Sequence, residues 1–308
     1  MSFWRRIQIW QIVVTVFVIG YVLLAAVTNT FRFYHWLLLL AVPGALLSDE
    51  RGKKLFFDWS PIFFFWLAYD RLRLLQPLLL DRVYVRGPFR AELSLFGWLA
   101  SGRVPPNAAR DWLAAHSNSF FWPAFHIAMQ CVYMSHLFFL PLVLVALWIA
   151  GLTRTRWRMV FVNLMWSLVT LNVFGLIGYL VFPAAPPWWI TIHGLEQPTQ
   201  ALVAQTSLAS GMDGSIIQHM IATAPDWFAA IPSMHGAYPI LLFLVLRRFN
   251  VGKLLLAIVA LYAAAMWTAT VVLNQHYIID LIIGGSLSII TFLIYRLRFV
   301  QSRINSLV

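Results

Sequence analysis

The sequence predicts an all-α fold, a polytopic membrane bundle of about eight spans in which the last five spans form a catalytic core. The first observation is composition, because 61% of the 308 residues are hydrophobic and only 11% are charged. A soluble protein with such long apolar runs would carry more charge. The second is that Lys and Arg cluster at the ends of the apolar segments, which is the positive-inside pattern of membrane proteins. The net charge of +11 therefore indicates a membrane protein and no nucleic-acid partner.

The spans are predicted from apolar runs of about 20 residues, the length that crosses a bilayer. They are 7–28, 33–47, a third beginning near Trp59 after a charged link at 48–58, then 119–150, 159–182, 232–248, 252–273 and 277–297. Asp70, Arg71 and Arg73 interrupt the third span about 11 residues after its start. At about 1.5 Å per residue, these charges lie roughly halfway across the hydrocarbon or in a cavity open to one face.

Two long regions are not predicted to span. Residues 81–118 contain a predicted surface-lying helix from Ala91 to Ala100, of the amphipathic interfacial kind. Residues 183–230 form a loop without Lys or Arg, in which Trp188 and Trp189 are interpreted as interfacial aromatic residues.

The chain is interpreted as one integrated membrane domain with two parts. Residues 1–118 supply the N-terminal spans and the interfacial region, and residues 119–300 supply the catalytic core. Orientation follows from the basic segments, which face the cytoplasm, so that the loop 183–230 and the turn 273–277 lie on the extracytoplasmic side. The basic segments are the amino terminus, 48–58, 154–158, 247–253 and the carboxyl-terminal tail.

Two histidines are predicted to meet at that extracytoplasmic face. His235 and His276 are separated by about forty residues that are nearly all apolar, apart from a basic turn at Arg247, Arg248 and Lys253. An interval of this length is one crossing, a tight turn and one crossing back. The hairpin therefore returns His276 to the level of His235.

An acidic residue accompanies the second histidine. Asp280 is four residues after His276, on the same helix face, and is the only Asp, Glu, Lys or Arg from residue 254 to 295. A carboxylate there can hold one ring nitrogen of His276 and leave the other free to react. An ionisable group so isolated in an apolar segment is functional by default.

These residues suit phosphoryl transfer through a phosphohistidine. His276 is the predicted nucleophile, Asp280 fixes its tautomer, and His235 protonates the leaving oxygen. Pro232 and Ser233 open the sixth span, where free backbone N–H groups favour a phosphate, and the Ser233 hydroxyl adds a hydrogen bond. Two alternatives remain open, a metal site and a structural His–Asp contact, although two ligands are too few for a metal.

The residues that would hold the phosphate are less well defined. Phosphate binding favours cations, and residues 159–246 and 254–295 contain no Lys or Arg. Arg71 and Arg73 are the predicted phosphate ligands, and the alternative is that Asp70 pairs with them and anchors the span. His136, in the fourth span, is either a wall of the site, where it would contact the phosphate, or a polar contact within the bundle.

Several motifs resemble the type 2 phosphatidic acid phosphatase superfamily, over about residues 130–285. Pro232-Ser233-Met234-His235 resembles its Pro-Ser-Gly-His motif, and His276-x-x-x-Asp280 resembles the end of its Ser-Arg-x5-His-x3-Asp motif. The chain is most similar to the inositol phosphorylceramide synthase branch. That similarity rests on the branch's forms of these two motifs, Pro-Ser-Leu-His and His-Tyr-x-x-Asp, and on the segments 183–188 (Pro-Ala-Ala-Pro-Pro-Trp) and 133–136 (Tyr-Met-Ser-His).

The resemblance implies a metal-independent enzyme without a cofactor, acting on a phospholipid donor and a lipid alcohol or water. The chain departs from the family pattern in two places. The first motif, Lys-x6-Arg-Pro, is absent, and Thr270 stands where the third motif has arginine. The leading hypothesis is that the protein is a lipid phosphotransferase. A lipid phosphate or polyprenyl diphosphate phosphatase, a lipid-phosphate transporter and a membrane scaffold remain open.

Overall fold

The computed structural model describes residues 8–28, 35, 38–47, 49–212, 227–305 and 307. In this part of the chain the regular elements are helices, joined in one place by two isolated β-bridges. The prediction of an all-α fold is therefore confirmed. Contacts divide the chain into two compact units, Met1–Phe63 and Phe64–Val308.

The first unit contains helices α1 (Ile9–Val27) and α2 (Ala41–Leu47) and the beginning of α3 (Glu50–Asp70). The predicted second span, 33–47, lies partly outside the described residues. The segment 48–58, predicted as a charged link before a third span beginning near Trp59, is for the most part helical, because α3 begins at Glu50. The Asp49 carboxylate accepts the Gly52 N–H (3.2 Å), and Glu50 lies in the first turn, where a negative charge is favourable.

The second unit begins with short elements. They are a 3₁₀ turn at Arg71–Leu74, α4 (Gln76–Leu79), a 3₁₀ turn at Leu80–Arg82, α5 (Arg86–Phe96), a 3₁₀ turn at Gly97–Ala100 and α6 (Pro105–Ala115). The predicted surface-lying helix at Ala91–Ala100 corresponds to α5 and the turn after it. The real helix begins five residues earlier, and it ends at Phe96, before Gly97.

The core contains the five helices predicted from the last five apolar runs. They are α7 (Phe121–Gly151), α8 (Thr155–Val181), α11 (Met234–Arg248), α12 (Lys253–Val272) and α13 (Ile278–Ile294). The loop 183–230 adds α9 (Pro187–His193) and α10 (Gln200–Met212), and α14 (Arg298–Asn305) follows the core. Helix α8 packs against α7, α11 and α13, and α11 packs most extensively against α12 and α13.

Four of the described helices are long and apolar enough to cross a membrane by themselves, namely α1, α7, α8 and α12. Helices α11 and α13 have 15 and 17 residues, fewer than the roughly 20 of a full crossing. Both helices begin beside the two motifs described above, which contain His235 and His276. The apolar helices identify an integral membrane protein, with fewer full-length crossings in the described residues than the eight predicted.

Short extended segments cover one end of the core. The Tyr84 N–H donates to Pro183 O (2.8 Å), and the Ala184 N–H donates to Phe228 O (2.8 Å). These contacts hold the segment 183–185 between two other parts of the chain. We call the apolar cluster beneath them the aromatic cap. Its buried members are Leu80, Val83, Val85, Val104, Ala185, Trp188, Trp189, Ile190, Trp227, Phe228 and Tyr277.

The aromatic cap corrects the interpretation of Trp188 and Trp189 as interfacial residues. Their side chains are 8% and 0% exposed, and the Trp189 indole N–H donates to Glu196 O (3.1 Å). The loop folds back over the helix ends, so these rings pack inside protein. The cap also buries Tyr277, the residue after His276.

Candidate active site

The two histidines of the hairpin lie in contact. His235 Nδ1 and His276 Nε2 are 3.0 Å apart and share a hydrogen bond. His235 is in the first turn of α11, and His276 lies two residues before the first residue of α13. Along the chain, α12 follows α11 and ends at Val272, so the chain returns to the same end of the bundle. The structure thus brings together the pair that the spacing predicted.

Asp280 lies behind His276. Its Oδ2 atom is 3.4 Å from His276 Nδ1 and accepts the Tyr277 N–H at 2.9 Å. The carboxylate is fully buried, and its Oδ1 atom has no hydrogen-bond partner among the described residues. The contact with His276 is long for a hydrogen bond. A carboxylate in this position favours the tautomer of His276 with its proton on Nδ1, in which the Nε2 lone pair is directed towards His235.

Ser233 caps helix α11. Its hydroxyl accepts the Gly236 N–H (3.3 Å), and its own N–H donates to Asp280 O (3.1 Å). The helix therefore begins at Met234, two residues later than the predicted Pro232. The N–H groups of Met234 and His235 have no acceptor among the described residues, so the start of this helix has free donors.

A glycine allows α13 to approach this segment. A Cβ atom at Gly284 would lie 2.1 Å from Ser233 O and 3.0 Å from Ser233 C. Only a residue without a side chain fits there, because the two backbones are in direct contact. This contact sets the distance between the segment that carries His235 and the helix that carries Asp280.

Glu92 is a site residue that the sequence analysis missed. Its two carboxylate oxygens accept the N–H groups of Ile278 (3.0 Å) and Ile279 (3.1 Å), at the start of α13. Glu92 is fully buried, and this burial raises the pKa of its carboxyl. Its signal in the sequence is isolation, because it is the only acidic residue between Asp81 and Asp111.

Helix α7 forms a wall beside the histidine pair. The Tyr133 ring stacks on His235 with centroids 4.9 Å apart, and the His136 ring meets His235 edge-on at 4.4 Å. His136 Nδ1 also hydrogen-bonds Tyr133 O. Of the two alternatives for His136, the wall of the site describes its position. A contact with phosphate stays a prediction.

Arg71 and Arg73 both pair with Asp70. Arg73 Nη2 lies 2.8 Å from Asp70 Oδ1, and Arg71 binds the other carboxylate oxygen. No contact between described residues joins either arginine to the histidine pair. These contacts with Asp70 are the ones that the anchoring alternative predicts, and a phosphate role for either arginine stays a prediction.

Thr270 supports the turn before His276. Its carbonyl oxygen accepts the N–H groups of Gln275 (2.9 Å) and His276 (3.2 Å), and its hydroxyl donates to Trp267 O. The residue is fully buried. It stands where the family has arginine, and its contacts are structural. Among the described residues, no group of three or more His, Cys, Asp or Glu side chains is placed to hold a metal ion.

Comparison with known proteins gives a family match over most of the core. Residues 104–294 match the model described as PAP2 superfamily. The chain is 24% identical to phosphoinositol dihydroceramide synthase of Bacteroides thetaiotaomicron over 289 residues, which cover 92% of this chain and 90% of that protein.

Two fungal proteins match a shorter stretch. Inositol phosphorylceramide synthase of Candida albicans is 32% identical over 130 residues, 40% of this chain and 26% of that protein. The inositol phosphorylceramide synthase catalytic subunit of Schizosaccharomyces pombe is 31% identical over 132 residues, 40% of this chain and 29% of that protein. The match thus spans less than a third of these fungal relatives. No solved structure matches the chain significantly.

Proposed function

Because this integral membrane protein belongs to the PAP2 superfamily, we propose that it is a lipid phosphotransferase acting through a phosphohistidine. The observation that carries the proposal is the 3.0 Å contact between His235 Nδ1 and His276 Nε2, with Asp280 buried behind His276. The relatives named above are synthases of inositol-phosphorylated ceramides. The proposed donor is therefore a phosphoinositol phospholipid, and the proposed acceptor is the hydroxyl of a ceramide-like lipid.

The first step forms the phosphohistidine. Asp280 keeps the proton of His276 on Nδ1, so the Nε2 lone pair is available as the nucleophile. As the bond from Nε2 to phosphorus forms, the bond from phosphorus to the oxygen of the donor's lipid alcohol breaks. Protonated His235 gives its proton to that oxygen, and the lipid alcohol leaves.

The second step passes the headgroup on. The acceptor hydroxyl gives its proton to His235 and attacks phosphorus, and the bond from phosphorus to His276 breaks. His235 is again protonated and His276 is again neutral, so the cycle closes. No metal or cofactor is required by this scheme. Water in place of the lipid hydroxyl would give hydrolysis.

The hydrogen bonds at the starts of α11 and α13 support one binding position for the phosphate. At 3.0 Å the two histidine nitrogens are in direct contact, so the rings separate when a phosphate enters. The start of α13 already has acceptors, from Glu92 and Asp280. The start of α11 has the free N–H groups of Met234 and His235. Free donors and the helix dipole attract an anion, so the phosphate is proposed to bind at α11, beside Ser233.

A narrow apolar groove supports a lipid substrate. It adjoins His136 and His235 and continues along Phe139, Leu242 and Met266, between α7, α11 and α12. The groove itself is narrow, with a volume of about 10 Å³, so an alkyl chain attached to a phosphate at the histidine pair would have to part α7 and α11 to enter it. The apolar lining favours an alkyl chain over a water-soluble substrate.

The charges of α11 support an extracytoplasmic site. The helix begins beside His235 and ends with Arg247 and Arg248. Basic residues mark the cytoplasmic end of a span. The histidine pair is therefore proposed to face the periplasm, the lumen or the outside.

The proposed mechanism is tested by trapping the intermediate. Purified protein is incubated with a donor lipid labelled in its phosphate and quenched, and we expect label on the protein that is acid-labile and base-stable. His276→Ala should carry none. Lipid extracts from the same reactions distinguish transfer, which gives a new labelled lipid, from hydrolysis, which gives a labelled water-soluble headgroup. Transfer without any trapped label in the wild type would exclude the covalent route.

Glu92 provides a test of how α13 is positioned. Glu92→Gln keeps one carbonyl oxygen but turns an NH₂ group towards a backbone N–H, so one of the two hydrogen bonds is lost. We expect kcat to fall by about tenfold to a hundredfold through misplacement of His276 and Asp280, while KM changes little. Steady-state kinetics in detergent micelles measure both constants.

The matched control for this variant is Glu196→Gln. Glu196 is an exposed loop residue, and its carboxylate makes no hydrogen bond to another described residue. Its kcat should equal that of the wild type. Equal kcat values for the Glu92 and Glu196 variants would show that the bond to α13 does not position the site.

A further inference from the structure

A second cavity is lined by Gln130, one helical turn before Tyr133, and by Gln275, the residue before His276. The mechanism above does not use it. It has a volume of about 500 Å³ and is bounded by α6, α7, α9, α10 and the turn 272–275. This volume is within the range of small-molecule sites. The turn leads directly into His276, so one wall of the cavity is continuous with the nucleophile.

Half of the residues that line this cavity have polar side chains, none of them acidic, although most of the lining surface is apolar. Its polar members include Arg110, His126, Gln130, Thr191, Asn274 and Gln275, and the rings of Trp122 and Trp188 lie among them. Amide and hydroxyl groups both donate and accept hydrogen bonds. The lining therefore matches a ligand that carries many hydroxyl groups.

The charges of the cavity lining favour a phosphorylated polyol headgroup over an ammonium headgroup. An ammonium headgroup would meet the Arg110 guanidinium and no carboxylate in the lining. A phosphorylated polyol would meet a cation and several neutral amides. The Arg110 side chain already binds Asp111 from outside the cavity, so it is held at the rim. The cavity thus favours an uncharged polyol next to a phosphate.

Two polar side chains of the lining have hydrogen-bonding capacity that the protein does not use. The side-chain amide of Gln130, which is half-buried on α7, makes no hydrogen bond to another described residue and is open to the cavity. Asn274 is 4% exposed; its NH₂ group donates to Thr191 Oγ1 (2.7 Å), and its carbonyl oxygen has no partner among the described residues. Buried amides normally have partners. A hydroxylated ligand would bind the Gln130 amide directly, whereas the Asn274 carbonyl oxygen is itself buried and would become accessible only after a shift of the turn 272–275.

We propose that this cavity binds the polyol headgroup of the donor lipid, a cyclitol or sugar attached through its phosphate. This inference rests on the proposed function, since it places the donor's headgroup beside His276 and its phosphate at the histidine pair. Gln130 binds headgroup hydroxyls, and Arg110 binds the headgroup from the rim. The cavity selects against choline and ethanolamine headgroups.

Binding is measured separately from turnover. The full-length His276→Ala protein is titrated with myo-inositol 1-phosphate in a calorimeter, with phosphocholine and inorganic phosphate as comparison ligands. We expect the inositol phosphate to bind at least about tenfold more tightly than either. Adding Gln130→Leu should weaken its binding about tenfold or more, as expected when hydrogen bonds to a desolvated ligand are lost. Thermal unfolding of each variant checks its fold.

The arginines around Asp111 offer a matched pair. Arg110 and Arg103 both bind Asp111, but only Arg110 lines the cavity. Arg110→Gln should weaken binding of the inositol phosphate, and Arg103→Gln should not. In the active enzyme, Arg110→Gln and Gln130→Leu should raise KM for the phosphoinositol donor and leave kcat within about twofold.

The outcomes separate the headgroup site from the proposed function. If Gln130→Leu and Arg110→Gln bind the inositol phosphate as the parent does, the headgroup site is wrong, whether or not the wild type transfers lipid. If inorganic phosphate or phosphocholine binds as tightly as the inositol phosphate, the cavity is not a polyol site. If binding depends on Gln130 while the wild type transfers nothing, the headgroup site stands and the transferase proposal fails.

Discussion

Replacing His276 by glutamine is expected to lower the rate of lipid headgroup transfer by at least about 10⁴-fold, the range seen when a covalent nucleophile or its base is removed. Glutamine has similar polarity but no nucleophilic ring nitrogen, so neither step of the cycle can occur. Transfer is measured with a labelled phosphoinositol phospholipid and a ceramide acceptor in mixed micelles. A variant that retains more than about a hundredth of the wild-type rate would contradict the assignment of His276 as nucleophile.

A second variant separates the roles of the two histidines. His235→Gln removes the proton donor and should lower transfer by about 10²- to 10⁴-fold. A donor with a nitrophenyl leaving group needs no protonation. It should therefore restore phosphohistidine formation in His235→Gln but not in His276→Gln. Equal rescue of both variants would contradict the assignment of His276 as the nucleophile and His235 as the proton donor.

Substituting Gly284 by alanine is expected to have the second largest effect. The added Cβ would lie 2.1 Å from Ser233 O, well inside van der Waals contact, and the obstacle is backbone. Overpacking of this kind destabilises a protein by about 1–3 kcal/mol. Displacing Ser233 by about 1 Å also moves His235 relative to His276, which we expect to lower kcat about a hundredfold or more.

The neighbouring glycine provides the control for this variant. A Cβ atom at Gly285 would meet only the Trp267 ring, at 3.3 Å, and a side chain can shift where a backbone cannot. Gly285→Ala should therefore keep most of its activity and thermal stability. If Gly284→Ala matched Gly285→Ala in both assays, the close contact of α13 with Ser233 would not determine the geometry of the site.

The core helices could be predicted from sequence because local patterns define them. The apolar runs that became α11, α12 and α13 are separated by a basic turn and by the polar run from Asn274 to His276, so their ends were visible. The meeting of His235 and His276 followed from the interval of about forty residues between them, which is long enough for one crossing and one return. The His–Asp spacing followed from helical periodicity alone.

The parts that could not be predicted depend on contacts between distant segments. Glu92 is 186 residues from Ile278, to which it binds, and no local pattern pairs them. Trp188 and Trp189 have the composition of interfacial residues, and only the fold of their loop buries them. Arg71 and Arg73 were predicted at membrane depth because of their position in an apolar run, but the sequence did not decide between Asp70 and a phosphate as their partner.

The shortness of α11 affects which acceptor the enzyme uses. Its 15 residues extend about 22 Å, whereas the hydrocarbon layer is about 30 Å thick. If Arg247 and Arg248 lie at the cytoplasmic surface, as proposed above, the His235 end of an upright α11 lies about 8 Å below the opposite lipid–water boundary. Bulk water is scarce at that depth, while the hydroxyl of a membrane-embedded alcohol reaches it by lateral diffusion. The partition between synthesis and hydrolysis should therefore favour synthesis, and lengthening α11 by one turn should shift the products towards hydrolysis.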